Sequence, residues 1–154
     1  MAPRVGVEFN IEGYPSPEYL QLVSRVRPAQ ATLVPDPPEA LTSNAGWDTL
    51  THQAFLRDVC AGLRSQGIRV SLFIECDRAR IEAAKAVGAD RVELYTGPYA
   101  HDYASDRTRA VAPFRQAAAW AHDVGLGLNA GHDLDLLNLS WFKQQVPYLE
   151  EVSI

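Results

Sequence analysis

Two hydrophobic rhythms alternate along the chain: short runs with a period of two, as in strands, and longer runs with a period near 3.6, as in helices. "RVGVEFNI" (4–11) sets Val5, Val7 and Phe9 against Gly6, Glu8 and Asn10. "PEYLQLVSRV" (17–26) has helical spacing, with Pro17 suited to a first turn. "AQATLVP" (29–35) reads as a strand stopped by Pro35, Pro37 and Pro38. A helix follows over 47–67, with Leu50, Ala54, Val59 and Leu63 on one face and Gly67 at its end. "IRVSLFIE" (68–75) is a strand, and 77–88 a helix with Asp77 as N-cap. "RVELYTG" (91–97) is a strand, and 105–125 a helix divided around Pro113. "LGLNAG" (126–131) is a strand, 134–146 a helix, and the closing "EEVSI" a strand cut short.

Strand then helix, five times over with a sixth strand at the end, implies parallel strands joined by right-handed crossovers. An open doubly wound sheet would bury its central strands on both faces and make them apolar throughout. Here each strand has one apolar and one polar face. Val70, Leu72 and Ile74 oppose Ser71 and Glu75; Val92 and Leu94 oppose Glu93 and Tyr95; Leu126 and Leu128 oppose Asn129. A ring of strands packed outside on helices and converging inside on a polar site gives that pattern. The expected fold is therefore α/β, of the (β/α)8 or TIM-barrel class. Such a barrel needs about 250 residues and eight strands. A chain of 154 residues supplies about six, so residues 1–154 are expected to form a single partial barrel domain.

Composition narrows the class of partner. The chain is 47% hydrophobic and 21% charged with a net charge of -5, which argues against nucleic acid or an anionic membrane surface as its main partner. Phosphorylated small molecules, which need only a few local donors, stay open. Without a signal peptide or an 18-residue apolar run, a cytoplasmic location is expected. Cys60 and Cys76 lack metal-finger or CxxC spacing and read as reduced structural thiols.

In a barrel, chemistry gathers where strands end. The first strand's end offers Glu8, Asn10 and Glu12; the third Glu75 and Asp77; the fourth Glu93, Thr96 and Gly97; the fifth Asn129, Gly131 and His132. Glutamates and an imidazole on one rim can act as general acids and bases, since crowding in a dry pocket lifts carboxyl pKa values toward neutrality. Blander readings stand beside this one. Glu8 could face solvent on an edge strand, and His132 could cap the helix after it. Asp133 or Asp135 could cap that helix too. His101 with Asp102, or His132 with Asp133 and Asp135, could hold a metal, although neither spacing matches a standard ligand set. His52 and His122 fall on helices as surface or packing residues.

Taken together, "VEFNI", "LVPDPPEALTSNAGWD", "QGIRVSLFIECD", "RVELYTGPYA" and "GLGLNAGHDL" resemble the pyridoxine 5'-phosphate synthase family of vitamin B6 biosynthesis over nearly the whole chain. The resemblance implies a TIM barrel of which this chain carries strands three to eight. It also implies a transferase-type, ring-closing condensation of 1-deoxy-D-xylulose 5-phosphate with 3-amino-2-oxopropyl phosphate. No metal or organic cofactor is needed in that family, which forms homo-oligomers. By motif match, Glu8, Glu93 and His132 would be catalytic. Thr42 and Ser43 would contact substrate, and Gly131 and the backbone at Asp133 would frame a phosphate near a helix N-terminus. Where relatives carry Gly after the histidine, this chain has Asp133. The family's first two strands, with an Asn-Asp-His segment and a histidine–arginine pair, and a closing Gly-His segment have no counterpart here. Two further readings are an inactive fragment of the synthase and an unrelated phosphosugar-binding α/β protein.

Overall fold

The computed structural model describes residues 6–36 and 45–154. Its elements run β1 (Asn10–Gly13), α1 (Pro17–Val26), β2 (Gln30–Leu33), α2 (Gln53–Arg64), β3 (Arg69–Ile74), α3 (Arg78–Ala86), β4 (Arg91–Tyr95), α4 (Gly97–Asp123), β5 (Gly127–Gly131), α5 (Leu139–Gln145) and β6 (Leu149–Ser153). The strands form one sheet in chain order, β1-β2-β3-β4-β5-β6, and every pair is parallel.

The polar alternation divides the sheet as expected. Ala31, Leu33, Val70, Leu72, Ile74, Val92, Leu94, Leu128 and Ala130 are buried in the core that the helices build on one face. The opposite face carries Gln30, Thr32, Arg69, Ser71, Arg91, Glu93, Asn129 and Glu151, bonded largely to one another. That face is concave. Gln30 on β2 reaches Glu151 on β6 at 3.2 Å, and Arg69 on β3 reaches the same carboxylate at 3.0 Å. In a flat sheet β2 and β6 would lie roughly 19 Å apart, at about 4.8 Å between neighbours, so only a strongly curled sheet lets these side chains meet. The result is a partial (β/α)8 barrel with six strands among the described residues.

At the N-terminal ends of the strands the concave face is closed by an ion-pair network. Glu151 pairs with both Arg69 and Arg91, and accepts from the amides of Gln30 and Asn129. Arg91 also reaches Glu150 at 2.7 Å. Each half-buried charge of this network thus has an opposite charge and hydrogen bonds, which is what makes its burial tolerable.

Local chemistry accounts for most element boundaries. Ser16 caps α1 through its hydroxyl, with Pro17 in the first turn as expected. Asp77 caps α3 by accepting from Arg80 N at 2.9 Å. Three expectations are corrected. The first strand begins at Asn10 rather than residue 4, because its pairing with β2 starts where Gln30 donates to Phe9 O. Val7 before it is exposed. The break in α4 falls at Asp106 (φ -156°, ψ 88°), not at Pro113, since the Asp106 carboxylate accepts from the amides of Thr108 and Arg109 and starts a new helical segment. α5 begins at Leu139, five residues later than expected, because Asp135 and Asn138 hold 133–138 as a turn.

Candidate active site

Strands β1, β4 and β5 bring Glu12 within electrostatic reach of both Glu93 and His132. Glu93 sits in the middle of β4 with its side chain almost wholly buried, directly over Gly131 of the neighbouring strand. A Cβ at Gly131 would collide with Glu93 Oε1 and press against Ser153, so only glycine leaves this carboxylate its place. Burial, with the like charge of Glu12 second, pushes Glu93 from the ordinary 4.5 up to about 7. A hydrogen bond from the Ser153 hydroxyl offsets part of this. Among the described residues no Lys or Arg pairs with Glu93 in the way Arg69 and Arg91 pair with Glu151 one layer below.

Glu12 occupies the same concave face at the mouth of the cup. Solvent reaches the residue, but lost hydration still raises its carboxyl pKa, against the pull of His132. Its strand end is pinned from behind by Tyr19, whose hydroxyl donates to Ile11 O at 2.7 Å and whose ring fills the space over Gly13. Burial and the neighbouring Glu12 raise the Tyr19 phenol well above its ordinary range, so it remains a donor.

His132 ends β5 in a left-handed conformation (φ 94°), followed by Asp133 (φ 58°). Its Nδ1 lies 2.8 Å from Asp133 Oδ2, and its ring meets Tyr95 edge-on at 5.0 Å between centroids. The loop after it is fastened from α4, where Tyr99 donates to Asn138 O and Tyr103 to Leu137 O.

Glu8 is the chief correction. It precedes β1 at the opposite end of the cup, is exposed, and binds Arg69 at 2.7 Å. That guanidinium holds the Glu8 carboxyl below its usual range, which makes it a weaker base. Asn129 likewise belongs to the lower network rather than the rim. Asp133 does not cap a helix: α5 begins six residues later, and the Asp133 carboxylate is engaged with the imidazole. α5 therefore does not set its N-terminus beside Gly131 and Asp133; the helix that begins beside Gly131 is α4, where the amide of Thr96 donates to Gly131 O. Thr42 and Ser43 lie outside the described residues. Among the described residues no three His, Cys, Asp or Glu side chains are grouped to hold a metal ion, and His101 and Asp102 meet only each other, at 3.9 Å. No helix among them is long and apolar enough to cross a membrane.

A curled parallel sheet with helices on its outer face and carboxyl groups and an imidazole on its inner face and upper rim defines a segment of a (β/α)8 barrel. The chain belongs to the family described as pyridoxal phosphate biosynthesis protein PdxJ, whose sequence profile matches residues 1–154. It is 54% identical over 154 residues to the pyridoxine 5'-phosphate synthase of Bacteroides fragilis, covering 100% of this chain and 65% of that protein. It is 53% identical over 150 residues to that of Cytophaga hutchinsonii, covering 97% and 63%. The chain thus spans less than two thirds of the length of these relatives. Among solved structures, a D-psicose 3-epimerase shares the fold at TM-score 0.61 and 13% identity, over 96% of this chain and 63% of the other. A xylose isomerase domain protein from Planctomyces limnophilus does so at TM-score 0.59 and 13% identity, over 97% and 64%.

Proposed function

We propose that this chain carries the acid–base rim of a pyridoxine 5'-phosphate synthase. The reaction is condensation of 1-deoxy-D-xylulose 5-phosphate with 3-amino-2-oxopropyl phosphate to pyridoxine 5'-phosphate, inorganic phosphate and water. In this reading β1–β6 correspond to barrel strands three to eight, and residues 1–154 form one partial barrel domain. The observation that carries it is Glu93, a buried carboxyl with no Lys or Arg partner among the described residues, whose pKa is pushed up to about 7 near Glu12, which in turn lies within reach of His132. Imine formation, phosphate elimination and ring closure each move protons, and a group that titrates near 7 can both give and take them at neutral pH. Glu12, at the mouth and within reach of the imidazole, takes the catalytic role expected of Glu8. Asp133 holds the ring of His132 through Nδ1, fixing its tautomer for proton transfer. Substrates are phosphorylated small molecules, and the working protein is a soluble homo-oligomer of the cytoplasm.

The test is to incubate the purified chain with both substrates and follow pyridoxine 5'-phosphate. Glu12→Gln, Glu93→Gln and His132→Asn should each lower product formation, while Glu8→Gln should not. Product no higher than in the Glu93→Gln control sinks the enzymatic reading for this chain. A second reading, a non-catalytic barrel segment, draws on β1 and β6, each of which pairs with only one neighbour among the described strands.

A further inference from the structure

His132 and Asp133 are consecutive non-glycine residues with φ of 94° and 58°. L-residues avoid this region, and a pair of them persists only where surrounding groups hold the backbone there. Two side chains do so. Thr96, fully buried just after β4, donates its hydroxyl to His132 O, while its own amide donates to Gly131 O at 2.9 Å. Asn138, also buried, donates to Asp133 O at 3.0 Å and accepts from Asp135 N at 2.9 Å. Thr96 therefore grips the peptide units on both sides of the His132 α-carbon. Tyr95, its chain neighbour, meets the imidazole edge-on. The dipeptide Tyr95–Thr96 at the end of β4 fixes both the backbone and the ring of the histidine that follows β5.

We propose that Thr96 is the positioning residue of His132: its hydroxyl locks the left-handed turn that sets the imidazole against Tyr95 and toward Glu12. The functional weight of this rests on the acid–base reading of His132, but the geometry does not. A serine keeps the donor; valine keeps the shape without it; alanine removes it and leaves space.

The test is NMR of the isotope-labelled chain, with His132 assigned by the signal lost in His132→Asn. The wild type should show cross-relaxation between ring protons of His132 and Tyr95, with ring-current shifts to match. Thr96→Ser should keep both, and Thr96→Val should lose them. Should the valine variant fail to fold, alanine against serine decides the matter. A Thr96 of merely structural importance would lower the melting temperature but leave the contact intact in the folded molecules. Absence of the contact in the wild type, or its survival in Thr96→Val or Thr96→Ala, overturns the proposal. In turnover, Thr96→Val should lower kcat roughly tenfold, the scale of one lost hydrogen bond, with KM unchanged and Thr96→Ser restoring it. His132→Asn with wild-type turnover would refute the catalytic reading of His132 while leaving the Thr96 contact measurement standing.

Discussion

Replacing Glu93 by glutamine should make the protein more stable at neutral and alkaline pH, and the gain should vanish in acid. The folded state holds this proton up to about pH 7, whereas an unfolded chain releases it near 4.5. Between those values the native state binds more protons than the unfolded state, so stability falls as pH rises. Below 4.5 both states are protonated and Glu93 costs nothing; above 7 the full cost of a buried carboxylate is present. At about 1.4 kcal/mol per tenfold change in proton affinity, the interval corresponds to roughly 3 kcal/mol. Glutamine keeps the shape and the acceptor for the Ser153 hydroxyl but cannot ionise. Urea unfolding of both proteins at a series of pH values from below 4.5 to above 7 should give curves that coincide in acid and diverge toward roughly 3 kcal/mol, with the slope m unchanged. A stability difference that is constant across the series, or one favouring the wild type at high pH, would refute the reasoning.

Gly131→Ala should displace Glu93 Oε1 and lower its apparent pKa, so the pH dependence of unfolding should shrink even as overall stability drops by about 2 kcal/mol. Glu151→Ala leaves Arg69 and Arg91 facing each other across the lower cup and should cost about 2 kcal/mol in urea unfolding, less than a fully buried pair because both Arg69 and Glu151 keep some solvent contact. Tyr19→Phe removes the hydroxyl bonded to Ile11 O and should cost about 1 kcal/mol, with faster amide exchange along β1 as the specific sign.

The sheet, its parallel sense and its polar inner face were legible because period-two alternation records which side of each strand meets water. Glu93 was legible for the same reason: a carboxyl alternating with Val92 and Leu94 must lie on the face opposite the core, and its burial must be explained. Glu8 and Glu12 show where that logic stops. Both have the same parity and point to the same face, so alternation cannot separate them. What separates them is register, fixed by the pairing of Asn10 with Gln30 across to another strand. Four residues along a strand amount to roughly 13 Å, enough to put one glutamate at each end of the cup. The turn at 132–138 was illegible for a related reason. Asp133 and Asp135 look alike as helix caps, and only the grip of Thr96 from outside the segment, with Asn138 at its end, decides that one orients a histidine and the other shapes the turn.

The central claim is that Glu12, Glu93 and His132 share one electrostatic site at the strand ends. It is tested most directly by following the Glu93 carboxyl carbon by NMR through a pH titration in the wild type, Glu12→Gln and Glu8→Gln. The midpoint should lie near 7, fall when the charge of Glu12 is removed, and stay put in Glu8→Gln. A midpoint near the ordinary 4.5, or one that moves with Glu8 and not with Glu12, would contradict the account.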